Sequence, residues 1–429
     1  MKVSVIGAGK MGLPIACRFA QRGATVFACD VNQKLVDAIN AGRSPIDEPG
    51  VGEIVRETTA DGRLRATTDT AAAVAQSDTV IVIVPALLTP DHHADLSILI
   101  SVSKTVAANL PAGALVIYET TVPVGTTRNV FAPLLAESGR PFLLAFSPER
   151  VKSNHVMEKL GITPKVVGGL TPEAGDRAEA FYREYLGAPV TRVPSPEAAE
   201  LVKLAGMLYR DVTIALSNQI ARYAERAGVD YPSILEATNT DGEAALLHPG
   251  IGVGGHCTPV YPYFLIHHAV EQGMHMTLAE EARRINDGQA EHAVARLEEA
   301  LGGLTDKHVM ILGLGFRPGV KEHICSPAFL LRDVLSARGA KVTLSDPLYS
   351  DDEIRRHGFE PSVLTAAAAS PAAVVLNTTH PEFRSPDFVA LRRKGLEAVL
   401  DGRNAWDPDA VRAAGLIHLG IGRPATAVV

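Results

Sequence analysis

Residues 2–12 read KVSVIGAGKMG, and residues 25–30 read TVFACD. The first stretch is an apolar strand over 2–6 running into a GxGxxG turn, with a helix beginning near Lys10. Gly7 permits the tight turn, Gly9 lets the backbone approach a pyrophosphate, and Gly12 lets helix and strand pack closely. The phosphates then meet unpaired N–H groups at the helix N-terminus. Asp30 closes the second strand about 20 residues on, where a carboxylate binds a ribose diol and repels a 2′-phosphate. Three glycines alone are a weak signal, since glycine-rich turns also occur in α/β proteins that hold no ligand. Strand, helix and carboxylate together favour a dinucleotide site, with NAD rather than NADP as the cofactor.

Outward from this unit, apolar strand-like runs alternate with helical patterns as far as residue 195. Strands are predicted at 2–6, 25–30, 79–84, 114–118, 141–146 and 165–168, an alternation that makes a parallel sheet with helices on both faces. From 196 to 303 the pattern changes to long helices, predicted at 196–227, 230–239, 259–272 and 277–302, with a glycine-rich break at 250–255. Strand and helix alternate again from 307, with strands at 307–312, 341–345, 372–376 and 397–400; the alanine run 366–369 is too short to be a linker. The expected fold class is α/β, with two Rossmann-like doubly wound parallel-sheet domains, 1–195 and 304–429, joined by a central helical dimerisation region, 196–303. Helix 196–227 carries more apolar positions than one helix buries in its own chain, which predicts a homodimer. A second glycine element, GLGF at 313–316, lacks a third glycine and an acidic partner at the usual distance, so a packing turn and a ligand-binding turn both stay open.

The 429 residues are 46% hydrophobic and 5% aromatic, enough for two or three packed domains. With 41 basic and 48 acidic side chains the net charge is −7, which gives no general attraction to polyanions, and no local basic cluster appears. Nucleic acids and membranes are therefore not expected partners. The opening MKVSVI goes directly into a strand, leaving no room for a signal peptide, and no apolar run approaches the roughly 20 residues of a spanning helix. Cys17, Cys29, Cys257 and Cys325 lie far apart without CxxC pairing, which fits a reduced, cytoplasmic protein, and no metal site is expected.

Residues 249–264 read PGIGVGGHCTPVYPYF. Its glycines make a loop able to wrap a substrate closely. Pro259 suits the first turn of a helix, placing Cys257 near the helix start, where the dipole favours a nucleophilic thiolate. A single cysteine is more often an inert core residue. The setting favours the nucleophile for Cys257, whereas Cys17, Cys29 and Cys325 read as packing residues. On helix 196–227, Lys203, Met207 and Arg210 share one face, and Leu201, Leu204, Leu208 and Ile214 form an apolar face elsewhere. By itself Lys203 reads as a solvated surface charge.

These motifs, taken in order, resemble the UDP-glucose/GDP-mannose dehydrogenase family, nearest its UDP-N-acetylmannosamine dehydrogenase branch. Besides the glycine turn they include INAGRSPIDEPG at 39–50, ADLS at 94–97, ETTVPVGTT at 119–127, SPER at 147–150 and PKVVGG at 164–169. YRDVTIALSNQIA at 209–221, GVGGHCTPVYPYFL at 252–265, SPAFLLRDVLSARGAKVTLSDP at 326–347, DGRN at 401–404 and GIGR at 420–423 carry it across nearly the whole chain. The resemblance implies an NAD domain, a central dimerisation region and a C-terminal domain that binds the nucleotide of a UDP- or GDP-linked sugar. It also implies two oxidations of the C6 alcohol by two NAD, through a thiohemiacetal and a thioester on the cysteine. By position the nucleophile is Cys257, Lys203 stabilises oxyanion charge, Glu149 is the acid/base group, and Thr121 holds water near the nicotinamide. The implied cofactor site is Gly7, Gly9, Lys10, Met11, Gly12, Asp30, Pro85 and Thr121. The implied substrate site is Glu149, Arg150, Lys203, Met207, Glu243, His248, Gly254, Tyr261, Phe316 and Arg317, the last where the family often has lysine.

The chain departs from the family pattern around the sugar. Met207 stands for an asparagine, Tyr261 for an aspartate, Glu243 for an arginine that reaches the neighbouring subunit's sugar site, and Ile324 for an arginine near NAD. Ser153 and Asn154 replace a Pro-Gly pair after SPER. Met207 cannot hydrogen-bond an oxyanion, and Tyr261 is no carboxylate near neutral pH. Glu243, if buried without a cation, carries a desolvation cost. The expected function is NAD-dependent oxidation of a nucleotide-activated sugar in a remodelled pocket. The alternatives are a single two-electron oxidation to an aldehyde or ketone, and a nucleotide-sugar binder without activity. The thiol kept in its glycine-rich loop argues against a mere binder, and SPER with GGHC argues against a hydroxyacid dehydrogenase sharing the NAD turn.

Overall fold

The computed structural model describes residues 1–151, 154–364 and 370–425; Ser153 and the alanine run 366–369 lie outside the described residues. Two compact units are present, residues 1–206 with 263–274, and residues 207–262 with 275–429.

The first unit holds an eight-stranded sheet. Its strands are β1 (Lys2–Ile6), β2 (Thr25–Cys29), β3 (Leu64–Thr67), β4 (Thr79–Val82), β5 (Leu115–Tyr118), β6 (Leu143–Phe146), β7 (Lys165–Gly169) and β8 (Val190–Val193). They lie in the order β8-β7-β6-β5-β4-β1-β2-β3. Neighbours are parallel except β6 and β7, so the last two strands run against the rest. The first six strands keep the order of dinucleotide-binding sheets. Every residue of β4 and β5 is buried, which is why TVIV and LVIY read as unbroken apolar runs rather than alternating ones. Helix α1 (Gly12–Gln21) packs Leu13, Ile15, Ala16, Phe19 and Ala20 into this core. It begins two residues later than Lys10, because residues 9–11 are used in turning the chain.

The second unit holds a six-stranded, wholly parallel sheet. Its strands are β9 (His308–Leu312), β10 (Lys341–Ser345), β11 (Glu360–Pro361), β12 (Ala373–Leu376), β13 (Ala398–Asp401) and β14 (Ile417–Gly420). The order β11-β10-β9-β12-β13-β14 repeats the dinucleotide-binding topology. Successive residues of β9 feed two cores, Val309 and Ile311 one, Met310 and Leu312 the other. Layers on both faces follow from that alternation.

Between the sheets the chain is helical: α2 (Pro196–Ala227), α3 (Tyr231–Thr238), α4 (Tyr261–Glu271), α5 (Thr277–Asp287) and α6 (Gln289–Leu301). The single helix expected over 277–302 is two, broken at Gly288, where a β-carbon would come 2.9 Å from the carbonyl oxygen of Arg284. Leu201, expected on an apolar buried face of α2, is exposed, while Leu204 is fully buried. Tyr209, Leu216 and Tyr223, seven residues apart, are 66%, 45% and 73% exposed and form an apolar stripe along the helix. Among the described residues no helix is long and apolar enough to cross a membrane.

Candidate functional site

The glycine turn at the end of β1 has the three properties that a bound pyrophosphate requires. Gly7 sits at φ +101°, and a β-carbon on Gly12 would lie 1.7 Å from the carbonyl oxygen of Gly7, so both positions need glycine to let α1 meet the strand. A β-carbon on Gly9 would meet nothing within 4 Å, so its peptide faces open space. The N-terminus of α1 has no side-chain cap and no acidic residue in its first turn, leaving its amides available to an anion. Lys10 is exposed and Met11 half-buried beside them. Asp30 closes β2 and accepts from the amides of Ala8 at 3.0 Å and Asn32 at 2.9 Å, which ties it to the turn. These residues fit NAD, whose nicotinamide accepts the hydride.

At the carboxyl ends of β4 to β6 the first unit gathers most of its remaining site residues. Thr120 donates to the carbonyl of Val84 at 2.5 Å, joining the segment of buried Thr121 to that of exposed Pro85. Lys203, on α2, is not a solvated charge: it is 8% exposed, and its Nζ donates to the carbonyl of Glu149 at 2.7 Å. The Glu149 carboxylate accepts from the amides of Arg150 at 2.6 Å and Val151 at 2.7 Å, and from Lys165 Nζ at 2.9 Å. Burial disfavours its charge, but Lys165 and the amides outweigh burial and hold the carboxyl below its ordinary range. Glu149 is therefore a fixed carboxylate rather than a ready acid. The exposed Arg150 turns its guanidinium to the carbonyl of Pro164. Asn154, where the family pattern has glycine, takes φ +70°, a left-handed conformation that asparagine tolerates, and its amide donates to Glu48 at 2.6 Å.

The second unit carries the cysteine. Cys257 is half-buried, and its carbonyl accepts from the amide of Tyr261 at 2.9 Å. Helix α4 starts at Tyr261, two residues after Pro259, so the proline lies in the turn before the helix and not in its first turn. Gly254 is required by Phe316, whose β-carbon would lie 2.4 Å from a side chain there, and the Phe316 ring also covers Gly255. Arg317 stacks 5.3 Å from the Phe316 ring centroid and pairs with Glu322 at 3.2 Å. Tyr261 is buried, with its ring 6.2 Å from that of His256, and Met207 is half-buried. Glu243 and His248 are exposed, so within one chain Glu243 is not a buried, unmatched carboxylate. Cys17 and Cys29 are buried as expected, but Cys325 is exposed, at φ +50° in the turn before Ser326.

The GLGF turn is tied down by groups of its own domain, which leaves both a packing role and a ligand role open. Asp346, at the end of β10, accepts from the amides of Leu314 at 2.7 Å and Gly315 at 3.2 Å, so an acidic partner exists 33 residues after Gly313, too distant in sequence to be noticed. A β-carbon on Gly313 would lie 2.4 Å from that of Thr378, and the Thr378 hydroxyl bonds the carbonyl of Gly315.

Sequence reasoning missed four buried polar residues around Glu149 and Thr121. Lys165, Glu119 and Tyr182 surround the Glu149 carboxylate, and Glu200 on α2 accepts from the amides of Gly125 and Thr127 at 2.6 and 2.8 Å. A buried lysine inside the apolar run KVVGG was the available signal. In the second unit Asn218 accepts from the amide of Gly250 at 3.0 Å, and Gln289 donates to its carbonyl at 2.9 Å, anchoring the glycine loop. Among the described residues no cluster of histidine, cysteine and acidic groups is arranged to hold a metal ion.

A Rossmann sheet with this glycine turn and a carboxylate closing its second strand has the architecture of a dinucleotide-binding domain. Three family models match in sequence order: the NAD binding domain of the UDP-glucose/GDP-mannose dehydrogenase family over residues 1–186, its central domain over 197–288 and its UDP binding domain over 310–408. The chain is 33% identical to the UDP-N-acetyl-D-mannosamine dehydrogenase of Pyrococcus horikoshii, over 99% of both chains. Among solved structures it resembles a UDP-D-ManNAc dehydrogenase from Pyrococcus horikoshii, with TM-score 0.89, 31% identity and 99% of each chain covered. It is equally similar in fold to a UDP-glucose dehydrogenase from Pyrobaculum islandicum, with TM-score 0.89, 29% identity and 98% of each chain covered. The chain belongs to the UDP-glucose/GDP-mannose dehydrogenase family. It is an NAD-dependent nucleotide-sugar dehydrogenase.

Proposed function

We propose that this enzyme oxidises the C6 alcohol of a UDP- or GDP-linked sugar to the carboxylate in a remodelled sugar pocket, with Cys257 as nucleophile. In balance, the alcohol, one water and two NAD give a carboxylate, two NADH and three protons. Lys203 stabilises oxyanion charge, the Glu149 carboxylate takes up protons, and Thr121 holds water near the nicotinamide. Gly7, Gly9, Lys10, Met11, Gly12, Asp30 and Pro85 hold the cofactor. Arg150, Met207, Glu243, His248, Gly254, Tyr261, Phe316 and Arg317 hold the sugar nucleotide. The observation that carries the reading is the buried ammonium of Lys203, fixed on the Glu149 carbonyl at 2.7 Å. A desolvated, hydrogen-bonded cation stabilises developing negative charge far better than a surface lysine.

A second reading is a single two-electron oxidation to an aldehyde or ketone. It is favoured by Met207 and the buried Tyr261, which supply neither the amide nor the carboxylate of the family pattern. Counting NADH formed per sugar consumed over a panel of UDP- and GDP-sugars, starting with UDP-N-acetyl-D-mannosamine, decides between them. Two NADH with a carboxylate product by mass spectrometry establish the first. One NADH, with Cys257→Ala retaining hydride transfer, establishes the second. The remainder of the reading is a three-part chain (1–195, 196–303, 304–429) acting in the cytoplasm as a homodimer through the apolar stripe of α2.

A further inference from the structure

Glu149 is held in place through groups to which the motifs containing them assign no role. Lys165 Nζ lies 2.9 Å from its Oε2 and 2.6 Å from Glu119 Oε2, and Glu119 Oε1 accepts from Tyr182 Oη at 2.7 Å. Lys165 is 5% exposed and Glu119 1%. Glu119 also grips residue 149 directly, because its carbonyl accepts the Glu149 amide at 3.2 Å. With Oε1 on the amides of Arg150 and Val151, both oxygens of Glu149 are fixed. The carbonyl of the same residue receives Lys203. Purely structural needs are met as well or better by apolar side chains of this size, since burying ions is costly. Ions here fix a position.

We propose that Lys165 and Glu119 are positioning residues of the oxidation: they lock the Glu149 carboxylate and, through the main chain of Glu149, the ammonium of Lys203. The inference rests on the reading of Glu149 and Lys203 as catalytic groups. The groups facing the Glu149 carboxylate are the Lys165 ammonium and the two amides, with Glu119 and Tyr182 behind the lysine and Lys203 on the carbonyl side. Burial opposes the charge on Lys165, but the two carboxylates outweigh it and keep it protonated. Without that ammonium Glu149 takes up a proton more readily and loses its fixed place.

The test uses the full-length enzyme with NAD and the best nucleotide sugar of the panel. Lys165→Met removes the cation, and Lys165→Met with Glu119→Gln also removes the buried carboxyl that the single variant leaves unpaired, should that variant fail to fold. Glu119→Asp keeps every charge but draws the lysine back by one methylene. Thermal melting and NADH fluorescence confirm fold and cofactor binding. A displacement of about 1 Å at a catalytic group costs up to about 10²-fold in rate, so kcat should fall about 10- to 100-fold with a smaller change in KM. The acid limb of the kcat profile should move to higher pH in the lysine variants, and Lys165→Arg should recover most of the activity. Folded variants with the kcat and pH profile of the parent overturn the proposal, as does a loss of kcat with an unmoved acid limb. If Lys203→Met and Glu149→Gln themselves retain kcat, the underlying assignment fails instead.

Discussion

Gly9 and Gly12 belong to one motif, yet they should fail in opposite ways when given a methyl group. On Gly12 the β-carbon would stand 1.7 Å from the Gly7 carbonyl oxygen and 3.0 Å from the Ile83 side chain. A main-chain oxygen cannot rotate away, so Gly12→Ala must push α1 off β1, at the upper end of the roughly 1–3 kcal/mol typical of overpacking. For a domain of about 200 residues, about 3 kcal/mol lowers Tm by roughly 6–12 °C. On Gly9 the same atom meets nothing within 4 Å, so Gly9→Ala should leave stability within about 0.5 kcal/mol of the parent. It projects into the open space where this motif would seat a pyrophosphate, and losing one charge-assisted bond to phosphate costs about 1.5–3 kcal/mol. That weakens NAD binding about 10- to 100-fold. Thermal melting without ligand and NADH fluorescence titration read the two effects separately. Parental NAD affinity in Gly9→Ala refutes the placement of the cofactor on this turn, and parental melting in Gly12→Ala refutes the close packing of α1 on β1.

Asp30→Ala should lose less activity with NADP than with NAD, because it removes both a ribose acceptor and the charge that repels a 2′-phosphate; an unchanged ratio of the two efficiencies contradicts this. Burial pushes Glu200 up to about 7 against its hydrogen bonds from Thr127 and Gly125, so the folded state holds a proton there that the unfolded chain releases near pH 4.5. That contribution to stability is present below the unfolded value and is lost as pH rises through 7. Glu200→Gln should accordingly be least stable relative to the parent near pH 5 and gain on it towards pH 8, and parallel stability profiles would reject the shift. The apolar stripe of α2 predicts a dimer by light scattering at micromolar concentration, dissociated by Leu216→Glu with Tyr223→Glu; a monomeric parent protein ends that idea.

Every strand predicted from sequence is present, and among the described residues the strands of the two large sheets that escaped prediction are all edges; the two-residue strands Leu87–Leu88 and Ala94–Asp95, which pair only with each other, escaped as well. Leu64–Thr67 and Val190–Val193 close the first sheet, and Glu360–Pro361 and Ile417–Gly420 close the second. An interior strand is covered on both faces and writes itself as an apolar run, whereas an edge strand is short and partly solvated, and LRAT or VTRV resembles a loop. The cofactor turn was legible because its glycines, strand and aspartate fall at fixed separations along the chain. The triad around Glu149 was not, since Glu119, Glu149 and Lys165 come from three segments whose meeting is a property of sheet order. The burial of Lys203 was not legible for the same reason: amphipathic spacing assigns a face but cannot say that a carbonyl from another segment waits beside it.

Burial separates the four departures around the sugar into two kinds. Tyr261 is buried and Met207 half-buried, so their effects act within one chain. Glu243 is exposed and Ile324 is 42% exposed, so in a single chain the reversed charge at Glu243 stays in water and has no desolvation to overcome. Its consequence requires something to cover it, and by the family resemblance this position reaches the neighbouring subunit's sugar site in the proposed dimer. Substitutions at the two kinds of position should therefore move different quantities. If the proposed site is right, Met207→Asn with Tyr261→Asp restores the family's groups beside the reacting carbon, where a preorganised donor is worth about 10²–10³ in rate, and should raise kcat or the NADH yield per sugar. Glu243→Arg should instead change KM for the sugar nucleotide, and only while the dimer is intact. Should Glu243→Arg alter kinetics equally in a dissociated variant that remains active, the exposed carboxylate acts within its own chain, and the division drawn from burial is wrong.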